Sequence, residues 1–239
     1  MTTPTTYTAA QRIIRGAMIN AGKLQKGDDP SSEDYADHIN GLNDMIYFEQ
    51  TQGLKIWLQY LQPLTPVAGQ TVYVFGLGGD INIPRPPRII SADYYDSFGN
   101  NRPLGLPLAW ADYNMLSNKF QTGPINSFFV DKKPTQLNVA LWLTPDTQAA
   151  TGQVKFTIQA QCTTIVSLTD AMDFPPEWLL GLQWIYADNI STGQPDRIMQ
   201  KCSERATFYR NALNDWDTED TSTTFSPDVR STYGSGAFT

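Results

Sequence analysis

Histidine occurs once in the 239 residues and cysteine only twice, as Cys162 in a strand-like run and Cys202 in a helix-like run, each far from a second candidate ligand. A structural zinc site needs several thiolate or imidazole ligands at short spacings, and a disulfide scaffold needs a dense, even set of cysteines. Neither can be assembled, so no metal, no cofactor and no covalent staple is expected. Charge is scarce as well: 17% of the residues are charged, and 17 Lys and Arg stand against 24 Asp and Glu, a formal net charge of -7. Backbone affinity for nucleic acid rests on cation–phosphate contacts, so this balance argues against a general nucleic-acid binder. It suits a surface past which DNA moves without sticking. Long apolar runs are missing too. Residues 1–7 are polar, and Arg15 and Gly16 interrupt the first apolar stretch, which predicts neither a signal peptide nor an ordinary membrane span and points to assembly in a cytoplasm.

What is present is enough apolar residue, 41% by the broad count, to bury a core unaided. Thr8 and Gln11 have capping-box spacing, and Ala10, Ile13, Ala17, Ala21 and Leu24 follow at helical intervals, with Gly22 near the stop. Ser31 and Asp34 introduce a second helix whose face runs Tyr35, Ile39, Leu42, Ile46 and Glu49, apolar until its last member, with Gly53 as its stop. Beyond Gly53 the period falls to two over 54–61, and further strands are predicted at 71–75, 88–95, 126–131, 136–143 and 153–161, with a short helix at 110–118. At 173–177 the two prolines suit the first turn of a third helix carrying Trp178, Leu182, Ile185 and Tyr186, closed by Gly193 and Pro195. A fourth begins at Asp196, with Ile198, Cys202, Ala206, Tyr209 and Leu213 on one side and Arg197, Lys201 and Arg205 as a basic stripe on another.

The expected fold is therefore α+β: a four-helix body, two helices from each end of the chain, interrupted by a mostly antiparallel β-rich insertion. Residues 1–53 and 173–216 form the two halves of the body, 54–172 the insertion, and 217–239 an extended tail. The tail is rich in Ser, Thr, Asp and Gly and cannot sustain a core, yet Phe225, Val229, Tyr233 and Phe238 are spaced along it like anchors after Asp217. These five residues are the expected interface with a neighbouring subunit or a larger partner, which the resemblance described below implies to be the portal.

Catalytic constellations are thin. Gly76, Gly78, Gly79 and Asp80 follow a strand but lack both the third glycine of a dinucleotide fingerprint and the Gly-Lys-Ser/Thr of a P-loop, so they predict a turn. His38, beside Asp34 and Asp37, reads as a solvated or interfacial helix residue. Asp44 with Glu49, or Asp170 with Asp173, are the carboxylate pairs a glycoside hydrolase would need, but negative charge near a helix start is ordinary. The basic stripe lacks interleaved aromatics and is bordered by Asp196 and Glu204, which favours a solvated face or a subunit interface.

Six segments, taken in order, resemble a known family. They are 29–37 (Asp-Pro-Ser-Ser-Glu-Asp-Tyr-Ala-Asp), 42–46 (Leu-Asn-Asp-Met-Ile), 75–80 (Phe-Gly-Leu-Gly-Gly-Asp), 83–89 (Ile-Pro-Arg-Pro-Pro-Arg-Ile), 141–146 (Leu-Trp-Leu-Thr-Pro-Asp) and 174–178 (Phe-Pro-Pro-Glu-Trp). With the N-terminal helix they make the chain, over roughly 7–215, similar to the head-to-tail adaptors of short-tailed bacteriophages, also called tail accessory or packaged-DNA stabilisation proteins. The resemblance implies a structural connector, not an enzyme: a subunit of a dodecameric ring beneath the portal protein, meeting the tail nozzle or the tail fibre and spike proteins. Packaged DNA would be retained and conducted through it without sequence-specific binding. The place implied is the neck of the virion, after assembly in the bacterial cytoplasm, with no membrane involved. A virion-associated peptidoglycan hydrolase is the alternative, since some relatives have been described as cell-wall hydrolases.

Overall fold

The first helices begin where the capping chemistry places them. In this computed structural model, which describes residues 7–52 and 58–216, α1 (Ala9–Asn20) starts on a capping box. The Thr8 hydroxyl accepts from the Gln11 amide at 3.3 Å and the Gln11 side chain accepts from the Thr8 amide at 3.0 Å. Ser31 and Asp34 do the same for α2 (Ser32–Glu49). Each box satisfies donors that a helix start otherwise leaves without a partner.

Among the described residues nine strands follow: β1 (Gln59–Leu64), β2 (Val72–Phe75), β3 (Arg88–Tyr95), β4 (Asn101–Gly105), β5 (Thr122–Gly123), β6 (Ser127–Lys132), β7 (Leu137–Trp142), β8 (Thr144–Pro145) and β9 (Gln153–Gln159). Helix α3 (Trp110–Met115) lies between β4 and β5. Two antiparallel sheets result, ordered β1-β9-β3-β4 and β2-β7-β6, beside a short parallel β5–β8 pair. Alternation decides which faces meet: Val154, Phe156 and Ile158 of β9 and Leu137, Val139 and Leu141 of β7 are all fully buried. Phe156 from the first sheet sits edge-on to Phe75 and Phe128 of the second, with ring centroids 5.2 and 5.5 Å away, so the sheets pack face to face over one apolar layer.

Proline explains the departures of two strands from the sequence reading. β1 runs on through Pro63 where the period-two pattern ends at 61, and β4 contains Pro103 in a stretch that begins as turn sequence. Both are edge strands, where the missing N–H costs no ladder bond. Residues 53–57, the start of the predicted 54–61 strand, lie outside the described residues.

The chain returns to helix at α4 (Trp178–Ile190), just after Pro175 and Pro176, whose carbonyls accept from the Trp178 and Leu179 amides. The prolines thus precede the helix and do not occupy its first turn. Gly193 supplies the positive φ of 84° that turns the chain into α5 (Asp196–Trp216). Helix α4 packs against both α1 and α5, and α2 joins them in one apolar cluster containing Ile13, Leu42, Trp178, Leu182, Ile185 and Cys202. Each large side chain fully buried there contributes roughly 1.5–3 kcal/mol.

The stretch after β9 packs away from the sheets. Cys162 and Ile165 are buried in the helical cluster, and Leu168 and Met172 lie against it, although the sequence reading counts 160–172 with the insertion. Polar contacts fasten this strap. The Asn43 side chain donates to the Ile165 carbonyl at 2.8 Å and accepts from its amide at 3.0 Å. The Thr8 hydroxyl donates to the Leu168 carbonyl at 2.5 Å, and Tyr47 meets the Thr164 hydroxyl.

Candidate functional site

Three of the four carboxylates considered for catalysis hold backbone or pair with arginine. Asp170 accepts from the Val166 and Ser167 amides at 2.9 and 2.8 Å, and Asp173 accepts from the Thr163 amide at 2.9 Å. Asp44 is exposed on α2, whereas Glu49 is buried and accepts from Arg210 of α5 at 2.9 Å. The position of Glu49 at the end of an apolar stripe is the one sequence signal that a cation must come to meet it.

Hydrogen bonds from the Ser31 side chain and backbone hold Asp34 below the usual carboxylate range, those from Asn100 do the same for Asp96, and the Ser167 and Val166 amides for Asp170. A depressed folded value means that this stabilisation is present above the unfolded carboxylate value and is lost as pH falls through the lower folded one. Acid unfolding should therefore show a carboxylate phase below about pH 4, read by circular dichroism during an acid titration.

His38 is half-buried against α4, not solvated, and its ring stands edge-on to Tyr186. The Tyr186 hydroxyl donates its single proton to the His38 carbonyl at 3.0 Å, so Nδ1 of His38, 2.8 Å from that hydroxyl, is the donor to it. Burial pushes the Tyr186 phenol up to about 12. Burial also lowers His38 below its ordinary value of 6.5, and Lys23 acts in the same direction. The unfolded chain then takes up a proton that the folded one resists, so stability falls as pH drops below about 6.5. The melting temperature should decline across that window, above the carboxylate phase, and a His38→Gln chain should lose that slope. An unchanged slope in the variant contradicts the assignment.

The glycine turn forms as a turn. The Gly76 amide donates to the Ile81 carbonyl, Asp80 accepts from the Val74 amide at 2.8 Å, and Asn82 accepts from the Gly78 amide at 2.9 Å. Both thiols are buried, and burial raises Cys202. Among the described residues no group of three His, Cys, Asp or Glu is placed to hold a metal ion, and no helix is long and apolar enough to cross a membrane.

Among the clefts on the sheet body, two are lined by residues of β3 and β4 or the segment after β4. One, of about 320 Å³, lies at the β3–β4 turn, where the Arg102 guanidinium sits 5.3 Å over the Tyr94 ring and donates to the Ile125 carbonyl. Its carboxylates, Asp96 and Asp146, accept from the amides of their own turns. The other, of about 670 Å³, is largely apolar and is lined by Ile90, Leu106, Leu108, Trp110, Phe129 and Val130. Tyr113 of α3 stacks on Phe129 at 4.3 Å and Trp110 leans on the same ring at 5.4 Å. At the rim of this cleft Leu106 and Trp110 are exposed, and Met115 and Phe120 are exposed further along the β4–β5 connection. The sequence reading placed α3 but not this surface, because exposed apolar side chains divided between a short helix and its flanking loops carry no periodicity.

The basic stripe Arg197, Lys201 and Arg205 is exposed along α5, with Lys201 lying 5.4 Å over the Trp184 ring of α4. The tail residues Asp217, Phe225, Val229, Tyr233 and Phe238 lie outside the described residues. No protein-family model matches the chain, and no curated protein matches its sequence.

Proposed function

We propose that this chain is a structural head-to-tail adaptor of a short-tailed phage, forming a ring beneath the portal that joins head to tail and helps retain and conduct packaged DNA. The observation that carries this reading is the exposed apolar surface of the β4–β5 connection. Exposed Leu106 and Trp110 at the rim of an apolar cleft, with Met115 and Phe120 exposed on the same connection, give it the Trp, Met and Phe content of a protein contact. Of the carboxylates that a hydrolase would use, Asp170 and Asp173 hold backbone amides and Glu49 pairs with Arg210, which leaves Asp44 without the nearby carboxylate partner that such chemistry needs. In this reading the helical body packs side by side with its neighbours beneath the portal, and the sheet body reaches neighbours and tail components.

Electron microscopy of the purified chain mixed with the portal protein of the same phage is the test. A ring of extra density beneath the portal is expected, and an unaltered portal, or release of peptidoglycan by the chain, overturns the reading. Trp110→Ser with Met115→Ser should leave stability within about 0.5 kcal/mol, since both side chains are exposed. The same change should weaken capture of a tail component by at least about tenfold, the effect of losing one aromatic anchor. Retention of full capture would remove this surface from the assembly.

A further inference from the structure

Helix α2 contains no Lys or Arg, and its exposed face carries Glu33, Asp37, Asn40, Asp44 and Phe48. These stand at i, i+4, i+7, i+11 and i+15, which at 3.6 residues per turn is one narrow strip. Helix α5 carries a strip of the opposite sign. Arg197, Lys201, Arg205 and Phe208 stand at i, i+4, i+8 and i+11, all exposed, with Glu204 as the one carboxylate among the cations. The charged runs span about 16 Å and about 12 Å at 1.5 Å per residue. In both helices an exposed phenyl follows the charges toward the C-terminus, and Phe48 and Phe208 are each 59% exposed.

Among the described residues none of the six charged groups forms an ion pair within 4.0 Å. Within one chain the link between these helices is made by other groups, Glu49 and Arg210, on their sheltered sides. Among the described residues the only contact shown for a charge of either strip is that of Lys201 with the Trp184 ring, and each strip has the charge pattern that the other would neutralise. We infer that the acidic strip of α2 docks on the basic strip of α5 of a second copy of this chain. The inference rests on the reading of the chain as a ring subunit and names the faces through which neighbours meet.

Two different surfaces of one molecule make a heterologous contact, which repeats from copy to copy and closes into a ring when the rotation per subunit allows it. With a net charge of -7, copies repel one another at long range, so the attraction must come from local complementarity of this kind. Exposed ion pairs are strongly screened by salt, and the contact should loosen accordingly.

Sedimentation velocity of the full chain at low and high salt tests this. The wild-type chain should associate with concentration at low salt, with an apparent Kd rising at least about tenfold at high salt. A chain carrying Glu33→Lys, Asp37→Lys and Asp44→Lys should stay monomeric, and so should one carrying Arg197→Glu, Lys201→Glu and Arg205→Glu. Mixing the two should restore association, because each variant then supplies the charge its partner's strips need. Circular dichroism checks folding, and the single changes Asp37→Lys and Lys201→Glu serve as milder versions of the same mixing test. A wild type that stays monomeric at its highest soluble concentration, a reversal that leaves association unchanged, or folded variants that fail to associate when mixed overturns the inference. Portal binding is read separately: a chain that binds portal without strip-dependent association leaves the adaptor reading standing and sinks only this contact.

Discussion

Replacing Trp178 with alanine should destabilise the chain by about 3–5 kcal/mol, the cost of removing a fully packed indole from a core that closes only partly around the gap. Trp178 is 2% exposed at the start of α4, beside Phe174 and within the cluster that joins α1, α2, α4 and α5. Leu182→Ala, one turn further along the same face at 0% exposure, should cost about 2–5 kcal/mol. Urea denaturation followed by far-ultraviolet circular dichroism gives both values. Total stabilities of single domains are only about 5–15 kcal/mol, so either change removes a large share. A loss below about 1 kcal/mol in both variants would contradict the packing of α4 against its neighbours.

Asn43→Leu is the second large effect, and its origin is polar. The leucine keeps the number of side-chain heavy atoms but removes the amide that serves both backbone groups of Ile165, at a position 7% exposed. A buried donor or acceptor left without its partner costs about 1–3 kcal/mol, so the pair should cost about 2–4 kcal/mol once the apolar gain is set against it. Hydrogen exchange separates this from general loosening. The Ile165 amide should exchange much faster in the variant while amides in β9 and β7 keep their rates. Unchanged protection at Ile165 would show that the strap is held without the clamp.

Periodicity made the apolar skeleton legible. The strand over 88–95 and the helix starts at Thr8 and Ser31 follow from alternation and capping spacing, because those signals are local and dictated by backbone geometry. Edge strands were partly hidden, since Pro63 and Pro103 read as breaks until their position in the sheet is known. The polar pairs that tie the molecule together were invisible. Asn43 with Ile165, His38 with Tyr186 and Glu49 with Arg210 are separated by 122, 148 and 161 residues, and nothing in either local sequence names its distant partner. The strap was misplaced for the same reason: Cys162 and Ile165 continue the apolar look of β9, and only three-dimensional packing assigns them to the helices. The interaction strips were half legible. The cations of α5 stood out as a stripe, while of the α2 strip only Asp44 was weighed, paired with Glu49, and its carboxylates were not read as one face.

The pairing of β1 with β9 sets Gln59 opposite Gln159, and the Ala160 amide donates to the Leu58 carbonyl at 2.7 Å, so the chain enters and leaves the sheet body at neighbouring points. For folding, this turns a very long excursion into a short one. Closing a flexible loop costs entropy that grows with the logarithm of its length, but a sheet body that has already folded presents its two ends together. The C-terminal helices are then delivered to α1 and α2 almost as if the intervening strands were a hairpin. The sheet body should therefore form early and the helical body late, with a slow non-local topology gating a step that is otherwise rapid helix docking. By the same geometry the excursion can lengthen, shorten or exchange its loops without disturbing how the helices meet.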